Sequence, residues 1–169
     1  MADLAPLDWH FIGRLQANKA RGVLRRFGTI HSVDSLALAQ RLARIAAEEG
    51  LSPAVLFQVK FRSDPAKTGF EPEELRAGWA TLSNLPALRP VGLMTIAPMG
   101  LVASERLALF QACAALATAL GLPERSMGMS GDWPEAVAAG STWVRLGSSL
   151  FGDRPSQNLA IPDVGRYSG

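Results

Sequence analysis

The stretch "SMGMSGDWPEAVAAGSTWVRLGSSLFG", Ser126 to Gly152, decides the fold. Arg125 to Met129 reads as a strand, and the small residues Ser130 and Gly131 end it. Asp132 and Glu135, three apart, have the spacing of a capping box for a short helix that stops at Gly140. The pattern then repeats at once. Trp143 to Leu146 reads as a strand, and Gly147 and Ser148 open a helical turn through Phe151. A strand that runs into a helix through a tight glycine-and-serine turn, and does so again, is the unit of a parallel sheet.

Working outward, the same alternation fills the chain. Trp9 to Ile12 reads as a strand followed by a helix from Gln16 to Phe27. Ile30 to Val33 is the next strand. Its helix runs from about Ser35 to Glu49, with Leu38, Leu42 and Ile45 on one face and Gly50 as the stop. Ala54 to Phe61 is a strand, and the helix after it opens on Pro72, Glu73 and Glu74 and buries Leu75, Trp79 and Leu82. Val91 to Ile96 precedes a long helix with Ser104 as its cap, ending near Leu120. Six strand–helix units in 169 residues, about 28 each, make an α/β chain with a parallel sheet. Periodicity leaves two closures open, a doubly wound sheet and part of an eight-stranded barrel. No Gly-x-Gly-x-x-Gly fingerprint follows the first strand, which argues against a dinucleotide fold.

Composition narrows the function classes. Nearly half of the residues are apolar and the charges are mixed, so one globular domain over residues 1–152 is expected, with residues 153–169 as a loosely ordered tail. The net charge of +2 is small, and the cluster Lys19, Arg21, Arg25 and Arg26 reads as a solvated helix face, so no nucleic-acid partner is expected. The lone Cys113 offers neither an internal disulfide nor a zinc set, which fits a reduced, cytoplasmic setting. No signal peptide or membrane span is read in the chain.

The two turns at the end of the chain are where chemistry can sit. Ser130 and Gly131, and again Gly147 and Ser148, present free backbone N–H groups where a phosphate could rest. In barrels such a site commonly lies on the loops after the last two strands. Arg145 stands inside an apolar strand, which is costly unless it meets an acceptor. A structural ion pair is the common answer, and a ring nitrogen or carboxylate of a ligand is the other. His10 and His31 have no third ligand at metal spacing, and Met94, Met127 and Met129 fit core filling. No nucleophile elbow or recognisable triad is present.

Taken in order, "WHFIGRLQANK" (Trp9 to Lys19), "HSVDSLALAQRL" (His31 to Leu42), "VLFQVKFRSDPAKTGF" (Val55 to Phe70), "GLM" (Gly92 to Met94), "SMGMSGD" (Ser126 to Asp132) and "AAGSTWVRLGSSLFG" (Ala138 to Gly152) resemble the signatures of the pyridoxal phosphate homeostasis protein family, cyanobacterial members above all. The resemblance implies a (β/α)8 TIM-type barrel of the alanine racemase N-terminal-domain kind, with about six of the eight units present. It implies a protein that binds pyridoxal 5'-phosphate (PLP) and buffers or delivers it without catalysis. A PLP-dependent amino-acid racemase is the alternative. That family holds the cofactor as a Schiff base on a lysine near the end of its first strand. Only eight residues precede Trp9, so that lysine is absent from the chain, and Lys19, Lys60 and Lys67 match none of its motif. The reading is of an N-terminally truncated copy with two strand edges unpaired, and of a monomer when complete.

Carried across by position, Ser130 and Gly131 would hold the phosphate from one turn, and Gly147 and Ser148 from the other. Arg145 would face the pyridine nitrogen, and His10, Ser32 and Met127 would line the pocket. A permanently charged arginine there is expected to leave the ring nitrogen unprotonated, which suits holding the cofactor more than carbanion chemistry.

Overall fold

The computed structural model describes residues 7–62 and 68–152. Six parallel strands lie side by side in chain order: β1 (His10–Phe11), β2 (Thr29–Val33), β3 (Ala54–Gln58), β4 (Arg89–Met94), β5 (Glu124–Met129) and β6 (Trp143–Arg145). A helical segment follows each strand: α1 (Ala20–Leu24), α2 (Leu36–Glu49), α3 (Pro72–Ser83), α4 (Ala103–Ala119), α5 (Trp133–Ala138) and α6 (Ser148–Phe151). This is six-eighths of a βα barrel, opened between β1 and β6. Both are edge strands, as expected, with β1 paired to β2 and β6 to β5.

The core lies between the sheet and its helices. Val55 and Phe57 of β3 point into it, together with Leu38, Leu42 and Ile45 of α2, Leu75 and Leu82 of α3, and Leu109, Phe110, Cys113, Leu116 and Ala117 of α4. On α4 those residues recur at one-, three- and four-residue steps, the stripe a helix needs to lie on a sheet. Leu56 alternates with Val55 and Phe57, so it faces the barrel interior, where it is fully buried. Trp79 of α3 stays half-exposed and meets Phe57 edge-on, ring centroids 5.9 Å apart.

Cys113 is buried, and that burial pushes its thiol up to about 12. The thiol is expected to resist a soluble thiol reagent in the native chain and to react once urea unfolds it. Reaction at the same rate before and after unfolding would contradict this placement.

Three helix ends differ from the sequence reading. The segment read as Gln16 to Phe27 begins as a 3-10 turn, Ala17–Lys19, and α1 proper covers five residues. Ser104 is not the cap of α4. The cap position is Val102, two residues earlier, and Glu105 reaches back to accept from the Val102 N–H at 3.2 Å. Asp132 and Glu135 make no capping box. Asp132 Oδ1 accepts from the Met129 N–H at 2.6 Å, and Glu135 is drawn away by Arg106 of α4. The end of α2 is as read: Ser35 accepts from Leu38 N–H, and Gly50 takes the left-handed conformation at φ 66°.

Two of the four cations in the basic cluster on the first helix, Arg21 and Arg25, are paired within the fold. Arg25 grips Glu49 through Nε at 2.7 Å and Nη2 at 3.0 Å, and Arg21 pairs with Glu48 and Glu49. Arg25, then Arg21, hold the Glu49 carboxyl below the usual range. Among the described residues no helix is long and apolar enough to cross a membrane.

Candidate functional site: a cavity at the strand ends

A cavity of about 910 Å³ opens at the C-terminal ends of the strands. Ile12 after β1, Ile96 after β4, Met129 at the end of β5 with Ser130 and Gly131 after it, and Leu146, Gly147, Ser148, Phe151 and Gly152 after β6 contribute to its wall. Strand direction explains the placement. In a parallel βα array every strand delivers its last residues, and the turn that follows, to one rim.

Six residues singled out in the sequence meet here: His10, Ser130, Gly131, Arg145, Gly147 and Ser148. Ser32 and Met127 do not line the cavity. Ser32 is buried and donates to the Gly13 carbonyl at 2.6 Å, tying the turn after β1 to β2. Met127 belongs to the core under the helices, because its neighbour Ser126 takes the interior face and side chains alternate along a strand. Met129, two residues on, is the methionine that reaches the cavity.

The two turns are stitched together by one hydroxyl. Ser130 Oγ accepts from the backbone N–H of Gly147 at 3.3 Å and of Ser149 at 3.2 Å. Amides and hydroxyl thus converge on one point at the rim. A Cβ added at Gly131 or at Gly147 would meet nothing within 4 Å, so both glycines border open space.

Arg145 crosses the floor. Its guanidinium has no carboxylate partner among the described residues. Nη1 donates to Ser126 O at 2.8 Å and to Ser126 Oγ at 2.7 Å, and Nη2 donates to Thr95 O at 2.9 Å. Burial lowers its pKa to about 10, which leaves it cationic at neutral pH. Of five N–H groups, Nε–H and one on Nη2 have no such protein partner.

The opposite wall is made of rings. His10 and Trp143 stand with centroids 4.7 Å apart, so the two edge strands meet across the interior. His10 Nδ1 lies 2.9 Å from His31 Nε2, and His31 Nδ1 lies 2.8 Å from Ser126 Oγ. His31 is buried, and its pKa falls to about 4 through desolvation first and the charges of His10 and Arg145 second. Trp143 Nε1 donates to Glu124 at 2.5 Å, which fixes the indole. Sequence reasoning did not find Ser126, His31 or Trp143 as site residues. The signal for Ser126 was its even spacing from Ser130, two positions that share a face of β5 and its continuation.

No lysine lines this cavity among the described residues. Lys60 sits elsewhere, 3.1 Å from Glu71, and Lys67 lies outside the described residues. No group of three His, Cys, Asp or Glu side chains among the described residues could hold a metal ion. A second cavity, of about 890 Å³, lies against α2 and is lined by Arg14, Asp34, Arg41 and Arg44 among others; it shares no residue with the first.

Comparison with known proteins agrees with this geometry. The family model described as "Alanine racemase, N-terminal domain" matches residues 8–155. A protein of Synechocystis sp. named pyridoxal phosphate homeostasis protein is 50% identical over 160 residues, 91% of this chain and 73% of that protein. One of the same name from Pseudomonas aeruginosa is 44% identical over 160 residues, 91% of this chain and 67% of that protein. The solved structure of PipY from Synechococcus elongatus with PLP bound is 50% identical with a TM-score of 0.83, covering 89% of this chain and 73% of that one. An alanine racemase from Clostridium difficile, 20% identical with a TM-score of 0.70 over 90% of this chain and 41% of its own, shares the fold. The barrel rim, the paired serine–glycine turns and these matches together place the chain in the alanine racemase N-terminal-domain family, among the pyridoxal phosphate homeostasis proteins.

Proposed function

We propose that the chain binds pyridoxal 5'-phosphate in the strand-end cavity and serves in holding that cofactor, with no turnover of its own. The observation that carries the reading is the convergence on one cavity of a phosphate-type donor set and a buried, carboxylate-free arginine. The donor chemistry suits the group. Ser130 Oγ already accepts from the Gly147 and Ser149 amides, so its hydroxyl hydrogen is turned outward to donate to a phosphate oxygen. The glycines leave space beside it, and Arg145 has N–H groups to spare for a ring nitrogen. His10 and Trp143 supply flat walls for a pyridine ring.

A PLP ring acts as an electron sink when it is bound. This chain's residues favour holding over that chemistry. Arg145 can only donate, so it stabilises a ring nitrogen that carries no proton. His31, which touches Ser126, stays neutral near pH 7 and has no acid to pass on. With no lysine in the lining among the described residues, attachment there rests on hydrogen bonds and stacking. The wider reading, a cytoplasmic protein that keeps PLP available to others, rests on the relatives' name and on PLP seen in PipY.

The test is a spectroscopic titration of the full chain with PLP and, separately, with pyridoxal. PLP is expected to bind at one site and pyridoxal much more weakly. Ser130→Ala and Arg145→Gln are each expected to weaken PLP binding about ten- to a hundredfold, a charge-assisted hydrogen bond contributing about 1.5–3 kcal/mol. Gly147→Ala, which places a methyl in the open space beside the turn, is expected to do the same without lowering stability. Equal affinity of all variants for PLP would sink the site assignment.

A further inference from the structure

Arg145 is held by groups that are themselves held. Ser126 is fully buried, and its hydroxyl oxygen has two neighbours, Arg145 Nη1 at 2.7 Å and His31 Nδ1 at 2.8 Å. The guanidinium can only donate, so Ser126 Oγ accepts from it. The hydroxyl hydrogen must then go elsewhere, and the acceptor within reach is His31 Nδ1. The opposite arrangement, His31 donating through Nδ1, leaves a buried O–H without a partner, which folded proteins avoid. His31 therefore keeps its proton on Nε2 and donates to His10 Nδ1, 2.9 Å away. That in turn puts the proton of His10 on Nε2, the nitrogen facing Asp8 Oδ2 at 3.5 Å.

We propose that Ser126 is the positioning residue for Arg145, and that the directed series Ser126 to His31 to His10 to Asp8 holds its hydroxyl so that the free edge of the guanidinium faces the cavity. The steps from Arg145 through Ser126 and His31 to His10 are hydrogen bonds of 2.7–2.9 Å with one donor and one acceptor each, and the last, to the exposed Asp8 carboxylate at 3.5 Å, is a looser contact. The series joins β5, β2 and β1, and through Arg145 it reaches β6, so it also links the two edge strands across the open side of the barrel. Ser126 touches Arg145 and does not line the cavity; its effect on a ligand is indirect.

The inference rests on the PLP reading only for what Arg145 faces; the hydrogen-bond direction is a property of the ligand-free chain. The experiment begins there. Nitrogen-15 NMR of the histidines at pH 7.5, without ligand, is expected to show His31 and His10 both protonated on Nε2 and bare on Nδ1. A proton on His31 Nδ1 would overturn the proposal, whatever the chain binds. Ser126→Ala is expected to speed hydrogen exchange of the Arg145 guanidinium and to leave His31 as a mixture of two tautomers, and Ser126→Thr to restore both. Slow exchange persisting in the alanine variant would count against a positioning role.

A second arm separates positioning from general damage. Ser126→Ala is expected to weaken PLP about tenfold while the competing affinity of inorganic phosphate, which needs only the two turns, stays unchanged. Equal loss for both ligands would mean the serine merely supports the fold. If PLP fails to bind the unmodified chain but the tautomers are as stated, the cofactor reading is lost and the positioning series stands.

Discussion

Replacing Gly92 by alanine is expected to destabilise the chain by about 2–3 kcal/mol or more, a typical size for forcing a group into a packed interior. Gly92 of β4 pairs with Glu124 of β5. A Cβ built at Gly92 would stand 2.3 Å from the Glu124 carbonyl oxygen and 2.6 Å from its Cβ. The obstacle is sheet backbone, which cannot swing aside as a side-chain tip can. Relief requires β5 to move, and β5 carries Ser126, the residue beneath the cavity that accepts from Arg145. The midpoint of urea unfolding measures the effect, with Gly78→Ala on α3 as the control. There a Cβ would make an ordinary 3.7 Å contact with Leu82, and alanine favours the helix by up to about 1 kcal/mol. An unchanged midpoint for Gly92→Ala would mean that β4 and β5 do not approach as described.

Acid is expected to cost the fold on the order of 3 kcal/mol between pH 6.5 and 4. The His31 pKa lies at about 4 in the fold against an ordinary value of 6.5. Above pH 6.5 the imidazole is neutral in both folded and unfolded chains, and its contribution is fully present. As the pH falls through this window the unfolded chain takes up a proton that the folded chain refuses, so stability is lost. Below about pH 4 both states are protonated and this loss levels off. A displacement of this size corresponds to roughly 3 kcal/mol, an upper figure because some water reaches the cavity beside it. The groups facing His31 are His10 on β1, Ser126 and Glu124 on β5, and Arg145 and Trp143 on β6. Urea midpoints across pH 4 to 7.5 give the slope, and His31→Gln is expected to flatten it. The same slope in both chains would show that His31 is not the buried neutral group.

How far the sequence could be read follows from the range over which each feature is determined. The helix α2 was legible from Leu38, Leu42, Ile45 and Gly50, because its apolar spacing and its stop lie within one segment. The α/β class followed from six such local readings, and the resemblance chose a barrel where periodicity left a doubly wound sheet open. Arg145 was conspicuous as a cation in an apolar strand. Its partners were not legible. Thr95 and Ser126 lie 50 and 19 residues away, and two of the three bonds go to backbone carbonyls, which any residue supplies. The His31–Ser126 contact bridges 95 positions and exists only because the sheet curls. Ser32 and Met127 came from the resemblance alone, and strand alternation explains why Met129 stands at the cavity instead of Met127. The misread caps have the same cause. Asp132 and Glu135 have box spacing, but Met129 N–H and Arg106 compete for them from outside the helix.

The central proposal is that the strand-end cavity holds PLP by phosphate and ring contacts, with no lysine among the described residues that line it. The direct measurement is the intact mass of the full chain after saturation with PLP and reduction with borohydride. The account predicts saturable binding of one PLP per chain, reversed by dialysis, and a reduced protein at the 18.0 kDa mass of the unmodified polypeptide. A stoichiometric reduced adduct on one lysine would contradict it and would place an amine within reach of the cofactor's aldehyde.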